Sequence, residues 1–307
     1  MKAPRGNMMN ARIRSVAQVA VFVAVAFTSS LAFATHGGEP GGLGCDAIPH
    51  SATCVVAGSA CVYADLLAAL SAVAPDSNGG LNHDMWGTVV DRDGIVCAVA
   101  FTGPTRSNQW PGSRVISAQK ANTANAFSLP PGSAGVFSGL ALSTANLYSA
   151  VQPGGSLFGL QESNPVNTAV AYAGLASAYG TSADPMVGLK IGGVNVFGGG
   201  LALYKNSVTP ALVGGLGVSG DTSCTDHIVA WKVRDALGLD VVPAGVASGT
   251  DNIIHDVTGS HNNFKSKSGF GHPTCDKTAT GVAQDLPACF PIGATTGPVS
   301  GAAASCP

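Results

Sequence analysis

The sequence predicts an α+β fold in which helices pack on one central antiparallel sheet. Two β-hairpin patterns alternate with helical patterns along the chain. The first hairpin covers residues 85–101 and turns at Asp93-Gly94, and the second covers residues 196–218 and turns at Lys205-Asn206. Because a hairpin places neighbouring strands antiparallel, both are expected to join one sheet whose faces carry the helices.

Three of the segments outside the hairpins have helical patterns. Residues 62–74 are rich in alanine and leucine with apolar residues at helical spacing, and Pro75 ends the pattern. Residues 113–127 contain many alanines, which allow a helix to pack closely on a sheet. A shorter helix is predicted over residues 169–179, in a loosely patterned region before the second hairpin.

The segment from Val213 to His227 joins the second hairpin to a last helix. Its apolar run ends in a glycine cluster, which predicts a tight turn. Ser223 and Asp226 have capping-box spacing, so the helix is expected to begin near Cys224. Backbone amides at such a turn can bind an anion at the helix N-terminus. The residues predicted to do so are Gly215, Gly217, Ser219 and Gly220.

Other motif readings of this segment are weaker. Gly215 to Gly220 also match the dinucleotide-binding fingerprint, with Asp240 at the distance of a ribose-binding acid. That fingerprint requires a parallel β-α-β unit followed by further strands, and the later sequence has no strand-helix alternation. Ser219 lacks the glycine spacing of a serine-hydrolase elbow. Cys224 and His227 have C-x-x-H spacing, but two ligands are too few for structural zinc, and a disulfide is favoured for Cys224.

The N-terminus predicts export and divides the chain into four parts. Residues 1–34 combine four basic residues with an apolar stretch that closes on Ala32-Phe-Ala34, as a signal peptidase requires. The prediction is a periplasmic or secreted protein without a stable membrane span after cleavage; an uncleaved anchor is the alternative. Residues 35–60 are then a Gly- and Cys-rich extension, residues 61–242 the domain, and residues 243–307 an irregular C-terminal extension.

Cysteine usage and charge fit an exported protein. All eight cysteines follow the predicted signal peptide, and an even number predicts disulfides that hold both extensions, without fixing which cysteines pair. They are Cys45, Cys54, Cys61, Cys97, Cys224, Cys275, Cys289 and Cys306. The chain has 17 acidic and 15 basic residues, and four of the basic ones fall in the signal peptide. The acidic balance argues against nucleic-acid and anionic-membrane binding.

Four motifs follow one another in a compatible order between Cys61 and Leu239. They are Val89-Val-Asp-Arg-Asp-Gly-Ile95, Ala118-Gln-Lys-Ala-Asn-Thr-Ala124, Phe197-Gly-Gly-Gly-Leu-Ala-Leu203, and Val213-Gly-Gly-Leu-Gly-Val-Ser-Gly220 followed by Asp226. Together they resemble the GlcG/HbpS-type haem-binding family. The resemblance implies an α+β domain, a haem or tetrapyrrole ligand and assembly into a homo-oligomer. The chain departs from the family in an insertion between Asn164 and Lys190, in its added cysteines and in lacking an E-x-x-E pair, so iron storage is not implied.

A haem site needs an axial donor, an apolar slot and cations or amides for the propionates. His227 and His83 are the leading axial candidates, with Met85, Tyr148 and a threonine hydroxyl behind them. Covalent attachment is not expected, because C-x-x-C-H is absent from the sequence. The candidate cations for the propionates are Arg106, Arg114 and Lys120, in addition to the glycine turn.

These observations lead to three hypotheses of function. The first is an exported haem- or tetrapyrrole-binding protein that acts as carrier, sensor or protectant without turnover. The second is an enzyme that binds a small organic acid through the glycine turn. The third is an oligomeric structural subunit. The first two depend on a pocket beside the glycine turn.

Overall fold

Four strands form one antiparallel sheet with the order β2-β1-β4-β3. They are β1 (Trp86–Asp91), β2 (Val96–Phe101), β3 (Gly200–Lys205) and β4 (Ala211–Ser219). The computed structural model describes residues 63–133, 139–206, 209–259 and 265–293, together with Cys306. The antiparallel pairs β1–β2 and β3–β4 confirm both predicted hairpins. The second begins at Gly200 rather than at residue 196, because Gly199 has a φ of +111° and interrupts the extended backbone.

Helices cover both faces of the sheet, which confirms the predicted α+β class. The helices are α1 (Tyr63–Val73), α2 (Ser113–Ala126), α3 (Leu160–Ser163), α4 (Thr168–Ala171), α5 (Ser223–Ala236) and α6 (Lys277–Cys289). Trp86 and Val90 of β1 pack on α2, whereas Val89 packs on the opposite side with α1 and α5. Helix α6 adds to this second side, where Ala279 and Leu286 join the core. Within the described part of the chain, no helix is long and apolar enough to cross a membrane.

The glycine-rich segment is a strand, so the turn predicted over residues 214–220 is wrong. Gly215 and Gly217 lie within β4 and pair with residues of both neighbouring strands. A Cβ on Gly217 would lie 1.9 Å from the carbonyl oxygen of Ser117, and a Cβ on Gly215 would lie 2.2 Å from that of Ala121. These glycines have no positive φ; they are required because α2 rests directly on the strand backbone.

The chain leaves the sheet at Gly220 and enters α5 at Ser223, close to the predicted start. The cap is shifted by one residue from the prediction. Thr222 is the N-cap and accepts a hydrogen bond from the amide of Thr225. Asp226 instead accepts a bond of 2.9 Å from the amide of Asp221, so its carboxylate stabilises the entry to the helix.

The segment after Val242 contributes to the core, which corrects its description as an irregular extension. It contains α6 and a two-stranded ribbon, β5 (Val257–Thr258) and β6 (Lys265–Ser266). Asp251 forms an ion pair of 2.6 Å with Arg234 of α5, and both side chains are fully buried. The helix was missed because it contains Gly281 and Pro287, and because only two of its four buried residues, Leu286 and Cys289, are larger than alanine.

Disulfides reinforce this packing. Cys224 is bonded to Cys275, and Cys289 is bonded to Cys306. Cys97 is also disulfide-bonded. The predicted signal peptide and N-terminal extension, with Cys45, Cys54 and Cys61, lie outside the described residues.

The predicted helix over residues 169–179 is mostly wrong. The chain forms only the single turn α4 and a 3₁₀ turn at Ala176–Ala178. Gly174, between them, has a φ of +71°, which ends the helical path.

Replacing Gly217 with Ala is expected to destabilise the protein, because the new methyl group must displace α2 from β4. Overpacking of this kind costs about 1–3 kcal/mol. The matched control is Gly281→Ala in α6, where a Cβ meets open space. This control is expected to raise the free energy of unfolding by about 0.5–1 kcal/mol. Chemical denaturation of both variants measures the difference; equal stability would contradict the close contact.

Replacing Arg234 with Met is expected to leave the Asp251 carboxylate buried without its partner. Loss of one member of a buried pair costs about 3–5 kcal/mol. The double variant Arg234→Met, Asp251→Leu should recover most of this loss, because neither charge of the pair remains. Denaturation midpoints of the single and double variants test the expectation, and a single variant that loses less than the double would refute it.

Candidate functional site

A surface cleft of about 420 Å³ lies between the end of α1 and the strand ends of the first hairpin. Its lining residues are Ser71, Ala74, Pro75, Asn82, His83, Asp84, Thr102 and Gly103. The ring of His83 meets the indole of Trp110 edge-on, with 5.0 Å between the ring centroids. Trp110 is 50% exposed. The cleft therefore places one predicted axial histidine beside an accessible aromatic surface.

The loop that carries His83 is held by a carboxylate from the far end of β4. Asp221 accepts hydrogen bonds from the backbone amides of Leu81, at 2.8 Å, and of His83, at 3.0 Å. A second carboxylate, Asp276 of the α6 cap, accepts the amide of Gly80 at 3.1 Å. Sequence reasoning missed both aspartates, because each acts on a loop more than a hundred residues away in the chain.

The floor of the cleft is a chain of hydrogen bonds. The hydroxyl of Thr102 donates to Asp84 at 2.9 Å and accepts the amide of Met85 at 2.9 Å. The side-chain amide of Gln109 donates to the carbonyl of Thr102. Met85, a minor axial candidate, is buried beneath this floor. The floor fixes the backbone that follows His83, whereas Asp221 holds the backbone at and before it.

Arg106 lies in a second cleft of about 330 Å³, next to the first along the chain. This cleft is lined by Phe101, Thr105, Arg106, Ser107, Ser177, Tyr179 and Thr181. Arg106 is exposed, and it forms no ion pair within the described residues. The two clefts flank the same segment, because Thr102 and Gly103 line one and Phe101 and Arg106 line the other.

His227, the other leading axial candidate, is enclosed by the C-terminal segment. Its side chain has no exposure. Its Nε2 lies 3.1 Å from the Asn252 side-chain oxygen and 3.2 Å from the amide nitrogen of Ile253. Burial lowers the pKa of His227 to about 3, so the imidazole is neutral. In this arrangement His227 is part of the core, and no open cleft described above reaches it.

Two of the three predicted propionate cations are already paired inside the protein. Arg114 forms a bidentate pair with Asp184 and thereby ties the inserted segment to α2. Lys120 lies 2.7 Å from Asp226, and burial lowers its pKa. Burial also raises the pKa of Asp226 to about 6, against the opposing effect of the lysine.

The remaining predicted residues are also internal. The amides of Gly215 and Gly217 lie within the sheet, and Ser219 donates a hydrogen bond of 3.2 Å to the hydroxyl of Ser113. A Cβ on Gly220 would lie 2.4 Å from the carbonyl oxygen of Asp84. The anion site predicted at the glycine turn therefore has no opening. The haem hypothesis, which also depended on a pocket beside that turn, has to rest on another cleft. Tyr148 packs against His272, away from the cleft of His83.

The fold is an α+β domain with two neighbouring surface clefts at the ends of the first hairpin. The chain belongs to the haem degrading protein HbpS-like family, whose model matches residues 64–234. This membership connects the protein with haem at the level of the family. None of the curated proteins matches the chain in sequence.

Three solved structures show a distant similarity, and each covers 57% of the chain. The PduOC–haem complex is 23% identical, is covered over 93% of its length and has a TM-score of 0.36. The Klebsiella pneumoniae protein ORFY is 25% identical, with 88% covered and a TM-score of 0.36. HbpS is 16% identical, with 86% covered and a TM-score of 0.33.

Acidification is expected to destabilise the protein through His227. Its folded pKa of about 3 lies below the ordinary value of 6.5. The unfolded chain therefore binds a proton that the folded protein does not, and the free energy of unfolding falls as the pH falls through this window. Among its charged neighbours Asp251 raises this pKa, whereas Arg234 and His272 lower it. Asp226, with its raised pKa, acts in the opposite direction between pH 3.8 and about 6.

The variant His227→Gln removes this proton linkage. Its free energy of unfolding should fall less steeply between pH 6.5 and pH 4, by at most about 1.4 kcal/mol per pH unit. Urea denaturation at a series of pH values measures both slopes. Parallel slopes for the two proteins would show that His227 is not a buried neutral group.

Proposed function

We propose that the protein is an exported haem- or tetrapyrrole-binding protein that acts as a carrier, sensor or protectant without turnover, and that His83 is its axial ligand. One observation supports this assignment most directly: His83 lies in an open cleft, whereas His227 is enclosed. Neither ring nitrogen of His83 has a hydrogen-bond partner among the described residues. A nitrogen lone pair is thus free to bind a haem iron.

Two residues near the cleft match groups that a haem requires. Trp110 offers an exposed aromatic face for a flat macrocycle. Arg106, across the shared segment, offers an unpaired cation for a propionate. A bound haem would supply the iron centre and its redox chemistry. The chain's own contribution is to orient the ring through Asp221, which holds the backbone of His83.

The structure argues against the organic-acid enzyme, whereas an oligomeric assembly stays open. The organic-acid enzyme depended on amides at a glycine turn, and those amides lie in the sheet beneath α2. An oligomeric assembly is compatible with haem binding, and we propose a homo-oligomer. Exposed apolar side chains favour a contact between copies; they include Leu81, Phe158, Tyr172 and Leu175. Multi-angle light scattering of the purified protein gives the number of copies.

We also propose export to the periplasm or beyond, on the predicted signal peptide. Intact-mass measurement of the protein from its native compartment should show an N-terminus at Thr35. A mass that includes residues 1–34 would contradict cleavage.

Addition of haemin to the purified protein is expected to give a shifted Soret band. The variant His83→Ala should bind haemin about tenfold more weakly or worse, since loss of an axial bond removes at least about 1.4 kcal/mol. Arg106→Ala should weaken binding by a smaller factor, and Arg106→Lys should restore part of it. Absorbance titration at fixed protein concentration measures each dissociation constant.

The matched control is His227→Gln, which should leave the Soret position unchanged. A shifted Soret band that survives His83→Ala but is lost in His227→Gln would overturn the axial assignment. A titration that shows only free haemin at micromolar protein would overturn haem binding. Loss of the Soret band over time with a reductant and oxygen would indicate haem degradation in place of binding without turnover.

A further inference from the structure

Four potential metal ligands meet on the side of the molecule formed by α5 and the C-terminal segment. The Sγ of Cys224 and one ring nitrogen each of His255 and His272 all lie within 4.8 Å of one another. Cys224 is bonded to Cys275, which brings a second sulfur to the same place. The cluster therefore contains two sulfur and two imidazole donors, the set of a Cys₂His₂ zinc site.

The histidines of this cluster lack the partners that buried imidazoles normally have. Within the part of the chain that the structure describes, neither ring nitrogen of His255 has a hydrogen-bond partner, and the same is true of Nε2 of His272. The carbonyls of His272 and Pro273 lie near the His255 ring but outside hydrogen-bonding geometry. His272 is 3% exposed. Unpaired buried polar atoms are rare in folded proteins, and an absent ion is one of the explanations for them.

The tautomer of His272 is fixed in the form that a metal requires. Its Nδ1 lies 2.7 Å from the carbonyl oxygen of Pro273. Because a carbonyl only accepts, Nδ1 carries the proton, and the neutral ring keeps its lone pair on Nε2. A backbone carbonyl that holds one ring nitrogen while the other binds metal is the usual outer-shell arrangement of ligating histidines.

We propose that Cys224, Cys275, His255 and His272 form a redox-gated site for one Zn²⁺ ion. In the described state the disulfide occupies the sulfurs. A dithiol reductant opens it: the dithiol gives two electrons and two protons, becomes a disulfide itself, and leaves two cysteine thiols. Zn²⁺ then binds both sulfurs and both imidazoles, and the two thiol protons pass to solvent.

Charge, distance and access agree with this site. Two thiolates balance the charge of Zn²⁺, so the occupied site adds no net charge to a largely buried place. Ligand atoms around tetrahedral zinc lie about 3.4–3.8 Å apart, so the Cys224 sulfur and the two ring nitrogens need to approach one another by about 1 Å. The two sulfurs move apart once the disulfide is open. Cys275 and His255 are partly exposed, which gives a reductant and the ion a path to the buried Cys224.

The sequence carries this signal in two short motifs. Cys224 and His227 have C-x-x-H spacing, and His272-Pro-Thr-Cys275 has the reverse spacing. In the structure, Cys224 of the first motif and both His272 and Cys275 of the second lie in the cluster. The fourth member is His255 and not His227. The site is distinct from the haem cleft proposed above, and its test does not involve haem.

The test uses the full chain, reduced with dithiothreitol and then freed of reductant under anaerobic conditions. Titration with Co²⁺ should show one equivalent bound, with tetrahedral d–d bands and thiolate-to-cobalt charge transfer, and Zn²⁺ should displace it. The oxidised protein should show neither band. Absence of these bands in the reduced protein, or equal binding by the oxidised protein, would overturn the proposal.

Two variants separate this cluster from other cysteines. Cys289→Ser with Cys306→Ser removes another disulfide pair and should leave the Co²⁺ spectrum unchanged. His255→Ala with His272→Ala keeps both sulfurs and should abolish one-equivalent tetrahedral binding; an unchanged spectrum would refute the role of the histidines. If reduction unfolds the protein, Zn²⁺ should restore the far-ultraviolet circular dichroism of the wild type but not of the double-histidine variant. Failure to restore it would also refute the site.

Discussion

The close contact between α2 and the backbone of β4 fixes how near this helix lies to the sheet. Because Gly215 and Gly217 have no side chains, the carbonyls of α2 approach the strand where Cβ atoms would otherwise lie. Polar side chains of α2 and of the sheet are therefore close enough to form hydrogen bonds with each other. The hydroxyls of Thr88 and Ser117 are 2.7 Å apart across the same interface. The contact therefore determines both the register of α2 and the pairing of its polar side chains.

The same short distance explains why α2 carries buried charges. Lys120 reaches past the end of β4 to Asp226 and also donates to the carbonyl of Val218 at 3.0 Å. Arg114, two turns earlier, pairs with Asp184 and lies 3.7 Å over the ring of Tyr179. Each cation joins α2 to a different part of the chain. The charges thus orient the helix in the plane of the sheet, where alanine-rich packing alone offers little resistance to sliding.

The sequence predicted correctly those elements of the fold that have a local pattern of apolar residues. The hairpins and α1, α2 and α5 follow period-2 or period-3.6 patterns, which depend on local geometry. The glycines of β4 were misread, because a glycine gives the same signal for a turn and for a close approach. Helix α6 was missed because Gly281 and Pro287 interrupt its pattern. The inserted segment was misjudged because its order depends on Arg114, which is distant from it in sequence.

Of the candidate site, the sequence indicated single residues but not the contacts between residues that are distant in the chain. His83 was selected by residue type, and its cleft depends on Asp221 and Asp276, which no local pattern connects to it. Arg114 and Lys120 were read as available cations, since their partners lie 70 and 106 residues away. The grouping of His255 with Cys224 likewise exists only after the chain folds.

Asp276 connects helix α6 with the loop that precedes His83. One oxygen of its carboxylate holds the amide of Ala279 at the start of α6, and the other holds Gly80 in the loop before His83. Cys275 is the preceding residue. The Cys224–Cys275 disulfide and the loop of the cleft are therefore connected through one residue, Asp276. Replacing Asp276 would thus release the start of α6 and the loop before His83 together.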